Sequence, residues 1–312
     1  DIEIEVISEQ EALDETGAFH LPSIPRNHKF YFGYSYVRVQ ADGLINGSRR
    51  VSQEFVLADF PVTPTDMTID IHSFYLRWQP SGPFSFEASM PYVWQNTDLR
   101  TAYTAFSMQT EGFGDLVLRP TYHRHLVGCT TLSASLALSI PTADLDRDLT
   151  NTILPYAAQV TSGSYELRPK IEFSGGLFDL PNWESGVAGG ATLRLDDNDD
   201  GFRFGDLYWA SAWIQNSVND WMDVTGFILG THWKEIDGIS NTLPTGPAPP
   251  FDPENYGGDL FEVGGRLRLT YPGDPYRDRH LAVQYAVPLH QNLNGTQLRL
   301  GWTLGVSTGW SF

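Results

Sequence analysis

The stretch GWTLGVSTGWSF, residues 301–312, alternates from end to end. Trp302, Leu304, Val306, Thr308, Trp310 and Phe312 fall on one face, and Thr303, Gly305, Ser307, Gly309 and Ser311 on the other. That is the period-two pattern of a β-strand. One face is apolar and aromatic, and the other is small and polar. In a chain of formal net charge −18, such a face is buried in a soluble core or turned to lipid by a membrane barrel.

The pattern recurs at 84–94, 130–140, 165–173, 261–271 and 280–290. Less regular versions run over 29–41, 67–79, 113–126, 183–195, 202–216 and 219–233. About twelve strands of roughly 10 to 15 residues result, longer than the usual soluble strand and long enough to cross hydrocarbon at a tilt. Tyr or Trp stands near many strand ends, including Trp78, Tyr92, Trp183, Trp233 and Tyr271. The connections alternate as well. Long segments (42–66, 95–112, 234–258) fall on one rim only, with a medium one (141–158) and two tight ones (196–201, 292–295), and shorter ones (80–83, 126–128, 174–182, 217–219, 272–278) on the other. The expectation is an all-β transmembrane antiparallel barrel of about 12 strands over 29–312, with short periplasmic turns and longer extracellular loops, in a bacterial outer membrane.

Composition removes other classes. With 20 Lys plus Arg against 38 Asp plus Glu there is no basic footprint for nucleic acid. No run approaches the apolar length of a spanning helix. The single Cys129 makes no internal disulfide. Residues 1–28 stand apart, with seven acids before residue 16 and a Pro-containing linker. They read as a periplasmic tail, as a plug folded into the lumen, or as a contact for a periplasmic partner.

If the apolar set faces lipid, the opposite set faces the lumen. It comprises Glu87, Asp115, Arg119, His123, Glu166, Arg168, Lys170, Glu172, Arg194, Glu262, Arg266, Arg268 and Arg299. Both signs are present in similar number, which suits either interior ion pairs or a narrow wet pore. About twelve strands lie between barrels that fill themselves with side chains and those that hold an open channel. A constricted path for small solutes follows, and free diffusion of large ones does not.

Three short motifs occur in order: SMPY (89–92), EGFGDLVLRPTYH (111–123) and LALSIPTAD (136–144). Together they resemble the bacterial outer-membrane family named for the meta-pathway of phenol degradation. Gly112, Gly114 and Asp115 match its Gly-x-Gly-Asp turn, and Pro91 and Tyr92 its Pro-Tyr pair. Pro141-Thr142 is followed by Ala143 where that family often has glycine. The resemblance implies an outer-membrane channel for passive passage of small, hydrophobic or aromatic molecules. The alternatives are a structural barrel that anchors a periplasmic or surface partner, and a lipid hydrolase with Ser and His on the lipid face, for which His72 and Ser73 are the candidates.

Further residues carry expectations of their own. Asp196, Asn198 and Asp200 in DDNDDG have the spacing that opens a calcium loop, although Leu207 stands where the bidentate Glu belongs. A tight acidic hairpin is the other reading. Asp144, Asp146 and Asp148 form a second acidic loop. Trp310 and Phe312 resemble the terminal signal read by the barrel assembly machinery, and membrane lipid is the partner of the outward stripe. No other cofactor is expected.

Overall fold

The computed structural model describes residues 30–126, 130–146, 152–177, 180–244, 246–271 and 279–311. The acidic segment 1–28, Cys129, Asp148 and Phe312 lie outside the described residues. In chain order come β1 (Phe30–Gly47), β2 (Arg49–Val51), a short helix α1 (Gln53–Leu57), β3 (Thr63–Trp78) and β4 (Phe84–Arg100). Then follow β5 (Ala105–Phe113), β6 (Leu116–His125), β7 (Thr131–Ile140), β8 (Glu166–Gly176), β9 (Trp183–Arg194) and β10 (Phe202–Arg203). The chain continues through β11 (Leu207–Asn219), β12 (Met222–Trp233), β13 (Asp237–Gly238), β14 (Gly258–Thr270) and β15 (His280–Ser311).

Eleven of these strands pair antiparallel with their chain neighbours, and β15 closes the ring on β1. Strands β2 and β5 flank the ring, while β10 and β13 form a separate ribbon. The last strand doubles back at Asn292–Gly295, where Gly295 takes the left-handed φ of +62°. Its first arm pairs with β14 and its second with β1. The arms touch each other as well, for Thr308 Oγ1 donates to the His280 carbonyl at 2.8 Å. Counting both arms, the wall crosses twelve times. The sheet therefore has no open edge, as hydrocarbon requires.

The outward face is what makes the wall a membrane wall. Trp78, Phe84, Trp183, Trp221, Tyr271 and Trp310 form an exposed aromatic row at the short-turn rim, and Phe113, Tyr165, Tyr208 and Phe261 a second row nearer the long-loop rim. Leu76, Leu118, Ile171, Val187, Ile228, Leu267 and Val283 are exposed between them. Two aromatic rows enclosing an apolar band are the two interfaces of a transmembrane barrel. Trp310 is on this face, its ring 5.0 Å from that of Phe32.

Strands also rise beyond the upper aromatic row, which the sequence reading missed. The segment 95–112, expected as a loop, is instead the top of β4, a turn at 101–104 and most of β5. Above the hydrocarbon the outward residues are Asn96 and Asp98 and the inward ones Gln95 and Thr97. With both faces polar, hydropathy alternation disappears although the ladder continues.

Candidate functional site

The three sequence motifs meet at one place in the wall. Pro91 has no amide to give the ladder, so β4 pairs with β6 up to Ser89 and with β5 from Tyr92 onward. Across that interruption the Gly114 amide donates to the Pro91 carbonyl at 2.9 Å. A Cβ on Gly114 would lie 2.9 Å from Pro91 Cγ and 3.2 Å from the Val160 carbonyl oxygen, so only glycine fits. Thr142 Oγ1 accepts from the Leu116 amide at 3.2 Å and donates to the Gly114 carbonyl at 3.4 Å. Pro-Tyr, Gly-x-Gly-Asp and Pro-Thr are thus parts of one junction between β4, the β5–β6 break and the end of β7.

That junction holds a loop inside the barrel. Asp115 is turned inward and accepts Thr161 Oγ1 at 2.6 Å and Ser162 Oγ at 3.3 Å. Higher on the wall, Gln95 Nε2 donates to the Ala157 carbonyl at 3.0 Å. From outside the wall's inner face, Asn198 Nδ2 donates to the Ser162 carbonyl at 3.3 Å. The segment Ile153–Ser164 is almost entirely buried, and Val160 belongs to the apolar cluster of the barrel interior. Over it, Ile153, Tyr156, Phe202, Phe204, Ile236, Leu243 and Tyr256 form a second apolar cluster drawn from three long connections. The long-loop rim is therefore capped by its own small core.

The Asp-rich loop serves this cap. Asp196 Oδ1 accepts the Tyr165 amide at 2.8 Å, and Asn198 Oδ1 accepts the amides of Asp200 and Phe202. Asp200 accepts the hydroxyls of Ser240 and Thr242. The oxygens of Asp196, Asn198 and Asp200, the calcium candidates of the sequence, accept hydrogen bonds from separate donors and tie the β9–β11 loop to its neighbours. Among the described residues no group of three or more His, Cys, Asp or Glu converges as a metal site. Asp146 has a similar tying role, its Oδ2 accepting the Val160 amide at 3.3 Å.

Of the thirteen expected lumen residues, eleven lie on the inner face of their strands and Asp115 points inward from the β5–β6 break. Glu166 is fully buried between Arg168 (Nη2 to Oε2, 2.6 Å) and Arg194 (Nε to Oε1, 3.1 Å), and Arg168 also reaches Ser139 Oγ. Lys170 pairs with Glu172 at 3.2 Å, its ammonium 5.8 Å from the centre of the Trp209 ring. Glu87 pairs with Arg77 at 2.8 Å, and Arg119 Nη1 is 3.5 Å from Ser135 Oγ. His123 stands between Ser85 Oγ and Ser133 Oγ, each at 3.0 Å. Arg266 reaches Gln215 and Thr225 at 3.4 Å. Arg268 lies two residues further down β14, and Glu262 is fully buried with both oxygens unpartnered among the described residues.

Arg299 is the correction. Between the pairs Gln40↔Trp302 and Ala41↔Leu300 the ladder slips by one residue at Gly301. A bulge reverses which residues point inward. Leu298 and Leu300 are buried, while Arg299 is on the outer face, 3.0 Å from Asp42. The hydrolase candidates are also separated, because Ser73 is buried inside and His72 faces outward, its Nδ1 2.8 Å from Tyr34 Oη. Adjacent strand residues point to opposite faces, so His72 and Ser73 form no nucleophile–base pair.

What sequence reasoning did not foresee is an apolar inner tier. Val37, Val39, Ile69, Ile71 and Val93 face inward and are at most 2% exposed, joined by Trp209, Phe227 and Leu229 from the other side of the barrel. The signal was in 37–41 and 67–72, where the alternation inverts: Val37, Val39, Ile69 and Ile71 point inward while Arg38, Gln40, Thr68 and Asp70 point outward.

The sequence matches the family model described as "Putative MetA-pathway of phenol degradation" over residues 56–242, more than half of the chain. No functionally curated protein matches the sequence. Among solved structures, an outer membrane channel from Pseudomonas putida F1 is similar at 16% identity, with a TM-score of 0.66, covering 93% of this chain and 100% of that one. The translocator domain of the autotransporter NalP from Neisseria meningitidis is similar at 7% identity and a TM-score of 0.51, covering 99% of this chain and 96% of that one. At these identities the likeness is one of fold.

Proposed function

We propose, from the premise that this chain belongs to the phenol-degradation MetA family, that it is a channel of the bacterial outer membrane through which small apolar or aromatic molecules diffuse. The observation that carries the reading is the apolar inner tier formed by Val37, Val39, Ile69, Ile71 and Val93. Anchoring in lipid needs apolar residues only outside. An apolar interior offers a solute about 25 cal/mol for each Å² it withdraws from water, and it opposes ions, which lose their hydration there. The capped long-loop rim and the charge pairs below it narrow the path, so solutes pass one at a time or not at all when large.

The solved channel and translocator that share the fold support a conduit rather than a hydrolase, as does the separation of His72 from Ser73. The loop core over the mouth favours a second reading, a closed barrel that anchors a partner. One experiment separates them. Phospholipid vesicles leak small aromatics unaided, so the barrel is placed in vesicles with a lipopolysaccharide outer leaflet. Toluene uptake should rise severalfold with the protein while sucrose uptake stays at background. Toluene uptake equal with and without protein overturns the channel and leaves the anchor.

A further inference from the structure

Under the cap, where the loops Pro155–Ala157 and Pro249–Phe251 meet the wall, is a narrow cleft of about 30 Å³ lined by Met67, Leu99, Met108, Pro155, Phe251 and Leu298. Its lining is almost wholly apolar. Thr97 and Met108 are opposite each other at its wall side, and the next inward pair down the same two strands is Gln95 and Thr110. Both are buried, at 1% and 6% exposure. Gln95 Nε2 is committed to the Ala157 carbonyl and to Thr97 Oγ1, which fixes the amide's orientation and leaves Oε1 as the free end. Gln95 Oε1 and Thr110 Oγ1 have no partner among the described residues. Below them Val160 packs against Gly112 and closes the floor.

Buried polar atoms without partners cost free energy, and a pocket that is apolar except for a few such atoms is built to orient a ligand. An orphan acceptor beside a hydroxyl is complementary to a group that both donates and accepts. From this juxtaposition we propose that the cleft is a subsite for a small apolar molecule bearing one hydroxyl, which donates to Gln95 Oε1 and accepts from Thr110 Oγ1 while its hydrocarbon body lies against Met67, Met108 and Phe251. The cleft as it stands holds about two water-sized groups, so binding of the body requires the lining side chains Met67, Met108 and Phe251 to give way. The inference rests on the channel reading for its place on a transport path, but the binding itself does not.

The test compares cyclohexanol with methylcyclohexane, which share a shape and differ in the hydroxyl, by calorimetric titration of the purified full chain in a fluorinated surfactant that does not dissolve hydrocarbons. Wild-type protein should bind the alcohol at least about tenfold more tightly. Thr110→Val, which breaks no other hydrogen bond seen in the structure, should cut that preference to within about threefold and leave methylcyclohexane binding unchanged. Gln95→Met should abolish the preference. Heat-modifiable migration on gels verifies that each variant is folded. Equal affinity of wild-type protein for the two compounds overturns the subsite, and needs no variant to do so. A preference that survives both substitutions overturns it as well. Preference without flux in the lipopolysaccharide vesicles supports the subsite and removes only the transport reading; flux of both compounds without preference does the reverse.

Discussion

Two sectors of one inner wall are built on opposite chemistry. On β1, β3 and β4 the inward residues level with the upper aromatic row and just above it are Val37, Val39, Ile69, Ile71 and Val93, a packed apolar surface. On β8 and β9 the inward residues are Glu166, Arg168, Lys170, Glu172 and Arg194, a chain of ion pairs. Trimming one side chain of the first sector leaves a cavity, at a cost that grows with the volume removed, but strands no polar group. The second is held by mutual compensation, so the loss of one member strands another. The difference teaches that the apolar wall is sensitive to the volume removed, whereas the charged wall is sensitive to which partner is left behind.

The largest break in that comparison is at Glu166, which two arginines share. Glu166→Leu leaves Arg168 and Arg194 buried without their carboxylate, and removing one partner of a buried pair costs about 3–5 kcal/mol. The unfolding midpoint in urea, followed by gel mobility, should fall steeply, whereas Val93→Ala in the apolar sector should move it much less. Equal shifts for the two variants would erase the distinction.

A smaller effect sharpens it from the aromatic side. Phe227 lies flat over Gly264 on the neighbouring strand, and a Cβ there would overlap the ring. Gly264→Ala must push Phe227 into the lumen, an overpacking cost of about 1–3 kcal/mol. On the proposed channel reading, the same displaced ring should lower toluene uptake in the vesicle assay. Stability lost with uptake unchanged would place Phe227 in the wall's packing alone.

How much of this could be read from sequence depended on the solvent each face meets. Between the aromatic rows, outward Leu118, Ile171 and Val283 alternate with inward polar partners, and the strands were legible. Above the upper row lipid gives way to water, so Gln95–Leu99 has no hydropathy contrast and read as loop. On β1 and β3 the polar residues, Arg38, Gln40, Thr68 and Asp70, are the outward ones and the apolar residues the inward ones, so the period persisted while its faces exchanged roles. The motif residues Pro91, Gly112, Gly114, Asp115 and Thr142 were each visible, but their meeting at one junction was not, because register across strands is a long-range property. The Asp196–Asp200 loop showed its acids and hid their partners, Ser240 and Thr242, some 40 residues away in sequence.

Arg299 brings the comparison to its smallest expected effect. Alternation counted back from Ser311 places it in the lumen, and the slip at Gly301 returns it to the outer face beside Asp42. An arginine of the β8–β9 sector is enclosed by protein, whereas Arg299 and Asp42 are partly exposed and their charges are solvated apart as well as together. Pairs of this kind contribute about 0–1 kcal/mol. Arg299→Ala should therefore shift the urea midpoint barely at all and leave toluene uptake unchanged, while Arg194→Ala destabilises the barrel by leaving Glu166 short of a partner. A large loss of stability from Arg299→Ala would mean that the bulge itself depends on the pair with Asp42, and that the face a residue occupies is a poorer guide to its cost than the register defect beside it.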